Sequence, residues 1–431
     1  MFRPSSSLLA TTLLLALASC AGPSPEQSNT APALGAAPPA EAGRTSGPVA
    51  LLLPLSSGNA QYAQVAQAME ASAKLAFTAP GAPPLDVRDT GGTPQGAAAA
   101  AQAAVAAGDG LILGPLTGPD TAAVKPIAAT AGVNILAFTN DGALAAPGLW
   151  PLGITPGQQV RRVVSYAANE GHTRIAGLLP STPFGTLMGQ ALTAETASLG
   201  EPPPQIAYFG QSFSGLNQTV RSLSQFGSRG AEIEAKIRKA RDLDTRAGQI
   251  EAAKLSRQPI PPPPFDTLLI GATGETLEEI ASLLPYYEAG PPQVQLLGPM
   301  LWARDAAGMG SRAALRGALY AAPDPAARTA FVQRYQAENG GAAPPTVGDL
   351  AFDAAAIAVL AAREGGYTVP VLTNPVGFTG TDGLLQLEPD GKVRRGLAVF
   401  KVAPGGPQIV SPAPTSLPPA VPVSGPGAPT S

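Results

Sequence analysis

At 431 residues the chain is longer than one hydrophobic core usually serves, so two lobes or two domains are expected. A formal charge of −3 leaves no basic field to attract nucleic acid or anionic lipid, and nucleic-acid binding is set aside. Hydrophobic residues at 45% are ordinary, whereas 49 glycines and 48 prolines imply unstructured segments, which the sequence places at both ends.

The chain opens MFRPSSSLLATTLLLALASC, with basic Arg3, an apolar run from Leu8 to Ala18, small residues and then a cysteine. That is export-signal architecture. The run is about eleven residues, short of the roughly 20 that a spanning helix needs, and no later stretch reaches that length. Leu17-Ala18-Ser19-Cys20 resembles the bacterial lipobox, which implies a signal peptide over 1–19 and lipid on Cys20; an ordinary signal with an incidental cysteine is the alternative. Cys20 is the only cysteine, so the exported body has no disulfide, and the role of Cys20 is anchorage. Each buried acyl methylene contributes about 0.8 kcal/mol, so several chains hold a protein at a membrane. Ala21 after the cysteine resembles the outer-membrane sorting pattern, with inner-membrane anchorage still open. Residues 20–47 are Ala, Pro, Gly and Ser with almost nothing to bury, and read as a disordered tether.

Short apolar runs then alternate with helical patterns, the signature of βαβ units and a parallel sheet. Val49 to Leu53 reads as a buried strand, and the following helix carries Tyr62, Val65, Ala66, Met69, Ala73 and Ala76 on one face. Leu85 to Arg88 is a strand, Pro94 to Ala107 an Ala-rich helix, GLILGPLTG (110–118) a strand with a loop, and VNILAFTN (133–140) a fourth strand. Thr155-Pro156 starts a second set as N-cap and first helical residue, with Val160, Val163, Val164, Ala167 and Ala168 on the buried face. Strands at 174–180, 205–210, 265–271 and 294–298 continue it, and a helix ends at Gly200.

One segment interrupts this second set. EIEAKIRKARDLDTR (232–246) carries nine charges in fifteen residues of a chain that is only 13% charged. From 229 to 257 the residues favour helix, with Glu232/Lys236, Glu234/Arg238 and Asp242/Arg246 at i, i+4 spacing. Ile233, Ile237, Ala240, Ala247 and Ile250 make a narrow apolar stripe, and PIPPPP (259–264) ends the helix. The insertion 229–264 reads either as a solvated helix or as a partner-docking arm. The Pro-rich end, 404–431, reads as disordered.

The chemistry of common enzymes is missing. His172, the only histidine, lies in NEGHTR between a helix and a strand and reads as a surface loop residue. Without a second histidine or another cysteine a Cys/His zinc site cannot form. GATGET lacks the Lys-Ser/Thr ending of a phosphate loop, and neither G-x-S-x-G nor S-x-x-K occurs. Glu278 and Glu279 are adjacent on a helix and face apart. No enzyme, metal or cofactor is implied.

In open α/β sheets the loops at the carboxyl ends of strands form the ligand crevice. Here these are PLSSGN (54–59), GPLTGPD (114–120), AFTND (137–141), STPFG (181–185) and GATGE (271–275). Their candidate residues are Ser56, Ser57, Thr117, Thr139, Asn140, Phe184 and Glu275. Hydroxyls and backbone NH groups at helix starts suit a carboxylate and an acid suits an ammonium group, so a small amino-acid-like zwitterion would fit; the same hydroxyls also read as plain N-caps.

VALLLPLSSGNA, GLILGPL, LGITPGQQVRRVVSYAANEGHTRIAGLLPSTPFG, FDTLLIG, VQLLGPMLW and DGLLQLEPDGKVRRGLAVFKV, in that order, resemble the type I periplasmic binding proteins of the leucine/isoleucine/valine class over 48–403. LLGPMLWARD, the stretch from RGALYAAPDPAARTAFVQRY through GDLAFDAAAIAVLAA, and the charged insertion resemble the penicillin-binding protein activator lipoproteins (LpoA-like) within that superfamily. The resemblance implies two doubly wound parallel-sheet lobes joined by three crossovers, lobe one over 48–155 plus 323–394 and lobe two over 156–322 plus 395–403. It implies Thr117 and Thr139 for a ligand carboxylate, Phe184 as an aromatic where binders commonly carry Tyr, and Glu275 for an ammonium group. It also implies a partner, a penicillin-binding protein stimulated by contact without catalysis. The alternative is a lipid-anchored amino-acid or amide receptor for an ABC importer. Some activators carry a large helical-repeat domain ahead of the binding-protein-like part, whereas only the tether precedes it here.

Overall fold

A computed structural model describes residues 43–417 of the chain. The expected signal peptide, Cys20 and the tether up to residue 42 lie outside the described residues. In chain order the first elements are β1 (Val49–Leu53), α1 (Ala60–Phe77), β2 (Leu85–Asp89), α2 (Pro94–Ala107), β3 (Leu111–Leu113), α3 (Gly118–Ala131), β4 (Asn134–Ala137) and β5 (Leu149–Pro151). They form one sheet, β2-β1-β3-β4-β5, parallel throughout. Both faces of a parallel sheet are covered, which is why β1 is apolar at every position. Val49, Leu51 and Leu53 pack with Ala66, Met69 and Ala73 of α1, whereas Ala50 and Leu52 pack with the alanines of α2 and with α3.

The second set is α4 (Pro156–Asn169), β6 (Ile175–Pro180), α5 (Pro183–Ser198), β7 (Gln205–Phe209), α6 (Phe213–Leu223), α7 (Phe226–Arg241), α8 (Arg246–Leu255), β8 (Thr267–Ile270), α9 (Gly274–Tyr286), β9 (Gln295–Gly298), α10 (Ala306–Ser311) and β10 (Leu319–Ala322). The chain then returns to the first lobe as α11 (Pro325–Glu338), α12 (Thr346–Arg363), α13 (Val369–Leu372), β11 (Phe378–Gly380), β12 (Gly383–Leu387) and β13 (Val393–Arg395). There α12 packs on α1, and Phe378, Leu385, Leu387 and Val393 of the small antiparallel β11-β12-β13 sheet join the first lobe's core. Finally β14 (Ala398–Lys401) and β15 (Gln408–Ser411) complete the second sheet, β15-β14-β10-β9-β8-β6-β7. Its first five strands in sequence are parallel; β14 pairs antiparallel with β10, and β15 pairs antiparallel with β14 at the edge.

The chain passes between the two sheets three times, at 152–155, 323–324 and 396–397. Side chains stitch the first and third passages together. Arg395 donates to the Leu152 carbonyl, Gln158 Nε2 to the Val393 carbonyl at 2.6 Å, and Arg162 Nε to the Leu397 carbonyl at 2.7 Å. Gln158 also closes a capping box with Thr155, so one residue starts α4 and holds the small sheet.

Several expectations are corrected. The charged insertion is a hairpin of two helices, and α7 begins at Phe226 rather than 229. Glu232 and Lys236 pair at 2.7 Å, but Asp242 and Arg246 straddle the break between α7 and α8 and so lose helical spacing. Ala240, Gly248 and Ala252 are buried in the hairpin, whereas Ala247 and Ile250 of the expected stripe are exposed. A Cβ on Gly248 would lie 2.3 Å from the Ala240 carbonyl, so the hairpin needs glycine there. Residues 404–417, expected to be disordered, supply β15, because the open edge of β14 offers hydrogen bonds that the Pro-rich composition conceals. Residues 43–47, at the end of the expected tether, are docked: the Arg44 carbonyl accepts from Tyr367 N, and the Gly47 carbonyl from the Tyr367 hydroxyl. Tyr62 is exposed on α1 rather than on its buried face.

Candidate functional site

The lobe-one candidates cluster at the carboxyl ends of neighbouring strands β1, β3 and β4. Thr117 Oγ1 accepts from Asp120 N at 3.2 Å and caps α3. Thr139, buried, accepts from Asp141 N at 3.1 Å, and Asp141 in turn accepts from Ala143 N at 3.0 Å. These two threonine turns meet at Gly118, whose missing Cβ would lie 3.4 Å from an Asp141 carboxylate oxygen and 3.7 Å from the Thr139 hydroxyl. Asn140 is exposed, and its backbone lies flush against the first crossover, where a Cβ on Gly153 would come within 2.7 Å of Asn140 N.

Ser56 faces a carboxylate that sequence reasoning missed. Asp89, at the end of β2, accepts from Ser56 N at 3.1 Å, and Ser57 Oγ accepts from Asn59 N at 3.3 Å. Burial works to raise the Asp89 carboxyl, but hydrogen bonds from the Ser56 side chain and from the Gly91, Ser56 and Leu55 backbone together hold it below the ordinary value. The lobe-one edge therefore presents hydroxyls flanked by Asp89 and Asp141. That chemistry suits a hydrogen-bonding cation better than the carboxylate expected at Thr117 and Thr139. Pairing across strand ends carries no sequence signal, which is why Asp89 went unnoticed.

Phe184 and Glu275 sit at the carboxyl ends of β6 and β8 in the second lobe. Phe184 is half-buried and packs against that lobe's core. Glu275 is exposed in the first turn of α9, and Thr273 makes no side-chain cap there. A pocket of about 280 Å³ opens beside it, lined by Thr273, Leu277, Trp302, Arg304 and Arg312, but Glu275 does not line it. Among the described residues no hydrogen bond or ion pair joins the lobe-one set to Phe184 or Glu275.

The most strongly raised carboxyl lies elsewhere, beneath the third crossover. Asp353 on α12 accepts from Thr381 N and Oγ1 at 2.7 and 3.0 Å, while its other carboxylate oxygen is buried without a partner. Arg395, fully buried, lies 3.8 Å from Asp382, and Arg328 of α11 binds Asp349 at 2.5 Å. Burial pushes Asp353 up to about 7 against the pull of Thr381 N and Arg395, and pushes Asp349 up to about 6 against the pull of Arg328. Asp382 is raised by burial too. Three buried carboxylates thus share two guanidinium groups.

The comparisons with known proteins agree with this architecture. Residues 48–207 match the family model described as periplasmic binding protein. No curated protein gives a significant match to the sequence. A protein described as a branched-chain amino acid ABC transporter from Rhodospirillum rubrum is similar at TM-score 0.62 and 16% identity, over 84% of this chain and 99% of that one. The C-domain of Haemophilus influenzae LpoA (YraM), a regulator of PBP1A, is similar at TM-score 0.59 and 16% identity, over 84% of this chain and 100% of the domain. Against full-length LpoA from Haemophilus influenzae the values are 0.59 and 16%, over 84% of this chain, which spans only 58% of that protein. The α/β architecture of parallel sheets flanked by helices is therefore the type I periplasmic binding protein fold, and residues 48–207 carry that family's sequence pattern.

Proposed function

We propose that this chain is a lipid-anchored, non-catalytic periplasmic lipoprotein that activates a penicillin-binding protein in peptidoglycan synthesis. Cys20 is the lipidated residue, and its lipid holds the chain at the outer membrane. The observation that carries the reading is the α7–α8 hairpin, a charged arm inserted between β7 and β8 that packs largely on itself. A receptor that only closes around a small molecule has no use for such an arm. The likeness to the C-domain of LpoA, a regulator of PBP1A, supports it. Cross-linking in intact envelopes should recover a peptidoglycan synthase; recovery of transporter subunits alone would overturn the reading.

A second reading, a lipid-anchored amino-acid or amide receptor for an ABC importer, is favoured by the hydroxyl and carboxylate edge of lobe one. Its ligand residues would be Ser56, Ser57, Thr117, Thr139, Asn140, Phe184 and Glu275. An amino acid at about 100 times its dissociation constant should add roughly 2.7 kcal/mol of stability in a thermal-shift panel. A flat panel removes this reading.

A further inference from the structure

We infer that the turn end of the α7–α8 hairpin is a docking tip for an acidic protein surface. Residues 226–257 carry eight cationic and five acidic side chains, a positive excess within a chain of net charge −3. The excess gathers where the hairpin turns, with Arg238, Lys239, Arg241 and Arg246 set against Asp242 and Asp244, all exposed. Among the described residues none of these four cations has an ion-pair partner, whereas Lys236 and Lys254 nearer the base do.

Helix stability accounts for part of this pattern. Arg238, Lys239 and Arg241 occupy the last turn of α7, where positive charge complements the dipole. Arg246 has no such excuse: it opens α8, where its charge meets the positive end of a helix. Leu243 has none either, being 64% exposed in the turn, and Ile250 in α8 is 62% exposed. A tip that places apolar side chains among unpaired cations pays in solvation unless a partner covers it.

The base is held rigidly, so the tip is presented in a set direction. Arg229 donates to the Pro261 carbonyl at 2.7 Å and to the Tyr287 carbonyl at 2.6 Å, and Phe226 packs edge-on to Tyr287 at 5.2 Å. Rigid presentation limits the entropy lost on binding. Charge complementarity then selects the partner: cations around an apolar contact call for carboxylates around an apolar pocket. Asp242 and Asp244, interleaved with Arg241 and Leu243, would be repelled by a uniformly anionic lipid surface, which favours a patterned protein face. The inference rests on the proposed regulatory role for the partner's identity, though not for its acidity.

The test uses the full chain in intact envelopes, with Leu243 replaced by the photo-cross-linker p-benzoylphenylalanine and, as a control, Val376 of the first lobe replaced likewise. Mass spectrometry identifies the cross-linked peptides. The expected result is one protein captured from 243 and not from 376, through a carboxylate-rich surface. Its yield should fall at least tenfold when Arg238, Lys239, Arg241 and Arg246 are changed to Glu with an unchanged melting curve. The pair Arg241→Glu and Arg246→Glu serves if the fourfold change unfolds the hairpin. Capture of a penicillin-binding protein supports both this inference and the proposed function; capture through the acidic face of another protein keeps the tip and removes the regulatory reading. Lipid adducts alone, no adduct, the same partners at both sites, or a yield indifferent to charge reversal would overturn the inference.

Discussion

Replacing Asp353 by Asn should have an effect on stability that reverses sign with pH. The carboxyl ionises at 3.8 in the unfolded chain and at about 7 in the fold, where burial dominates. Between those values the folded state holds a proton that the unfolded state has lost, so wild-type stability falls as pH rises through the window, by about 4 kcal/mol in all. Four charged groups face the site: Arg328 from α11, Asp349 from α12, Asp382 from the turn between β11 and β12, and Arg395 from β13. Asn keeps an acceptor for Thr381, but its amide nitrogen takes the place of the buried oxygen that has no partner, at a cost of about 1–3 kcal/mol at every pH. The variant should therefore be the less stable protein at pH 4, where the wild type has lost less than about 1 kcal/mol, and the more stable one at pH 8. The chain has two tryptophans, both buried: Trp150 in the first lobe's core and Trp302 in the second's. Urea unfolding followed by Trp150 fluorescence in a Trp302→Phe background reads the first lobe alone. Parallel pH profiles with and without the Asp353→Asn substitution, with no crossing between pH 4 and 8, would refute the reasoning.

Further outcomes follow from the same contacts. Deleting residues 229–262 should leave a normal melting curve and abolish synthase binding in a pull-down with purified protein; unchanged binding would make the hairpin a solvated appendage. Arg229→Ala removes the guanidinium that grips the Pro261 and Tyr287 carbonyls, so hydrogen exchange in α7 and α8 should accelerate while the amides of β8 and β9 keep their protection. Thr155→Ala breaks the capping box of α4 and should cost about 1 kcal/mol by urea denaturation. Truncation after residue 403 removes β15, the packing of Val410 and the 2.6 Å bond from Arg162 to Ser411, and should destabilise the second lobe by about 1–3 kcal/mol; an unchanged Trp302 unfolding curve would show that edge to be dispensable.

Much of the fold was legible because its signals are local. The run Val49–Leu53 is apolar at every position, as a strand covered on both faces must be, and Pro94–Ala107 lies between a Thr N-cap and a Gly in the left-handed conformation. Thr155-Pro156 announces α4 through cap and first-turn chemistry alone. The hydroxyls of the candidate site were legible as residue types at strand ends, and Thr117 is indeed a cap; what they face was not legible. Asp89 meets Ser56 across 33 residues, and the partners of Arg395 include a carbonyl 243 residues away. No window of sequence contains such a pair.

By itself, then, the sequence determined the strands β1 to β4 and β6 to β9 and the helices α1, α2, α4 and α5, because periodicity, caps and proline act within a few residues. It also determined that a Cys/His zinc site lacks the residues to form, since the chain has one histidine and one cysteine. Only tertiary structure decided that QIVS (408–411) is a strand, since its order comes from the open edge of β14 rather than from its own propensity. Tertiary structure likewise decided that one charged helix is a hairpin with a basic tip, and that three carboxylates share two arginines beneath a crossover. Burial and long-range charge are properties of the assembled chain, and they appear only when distant segments close on one another.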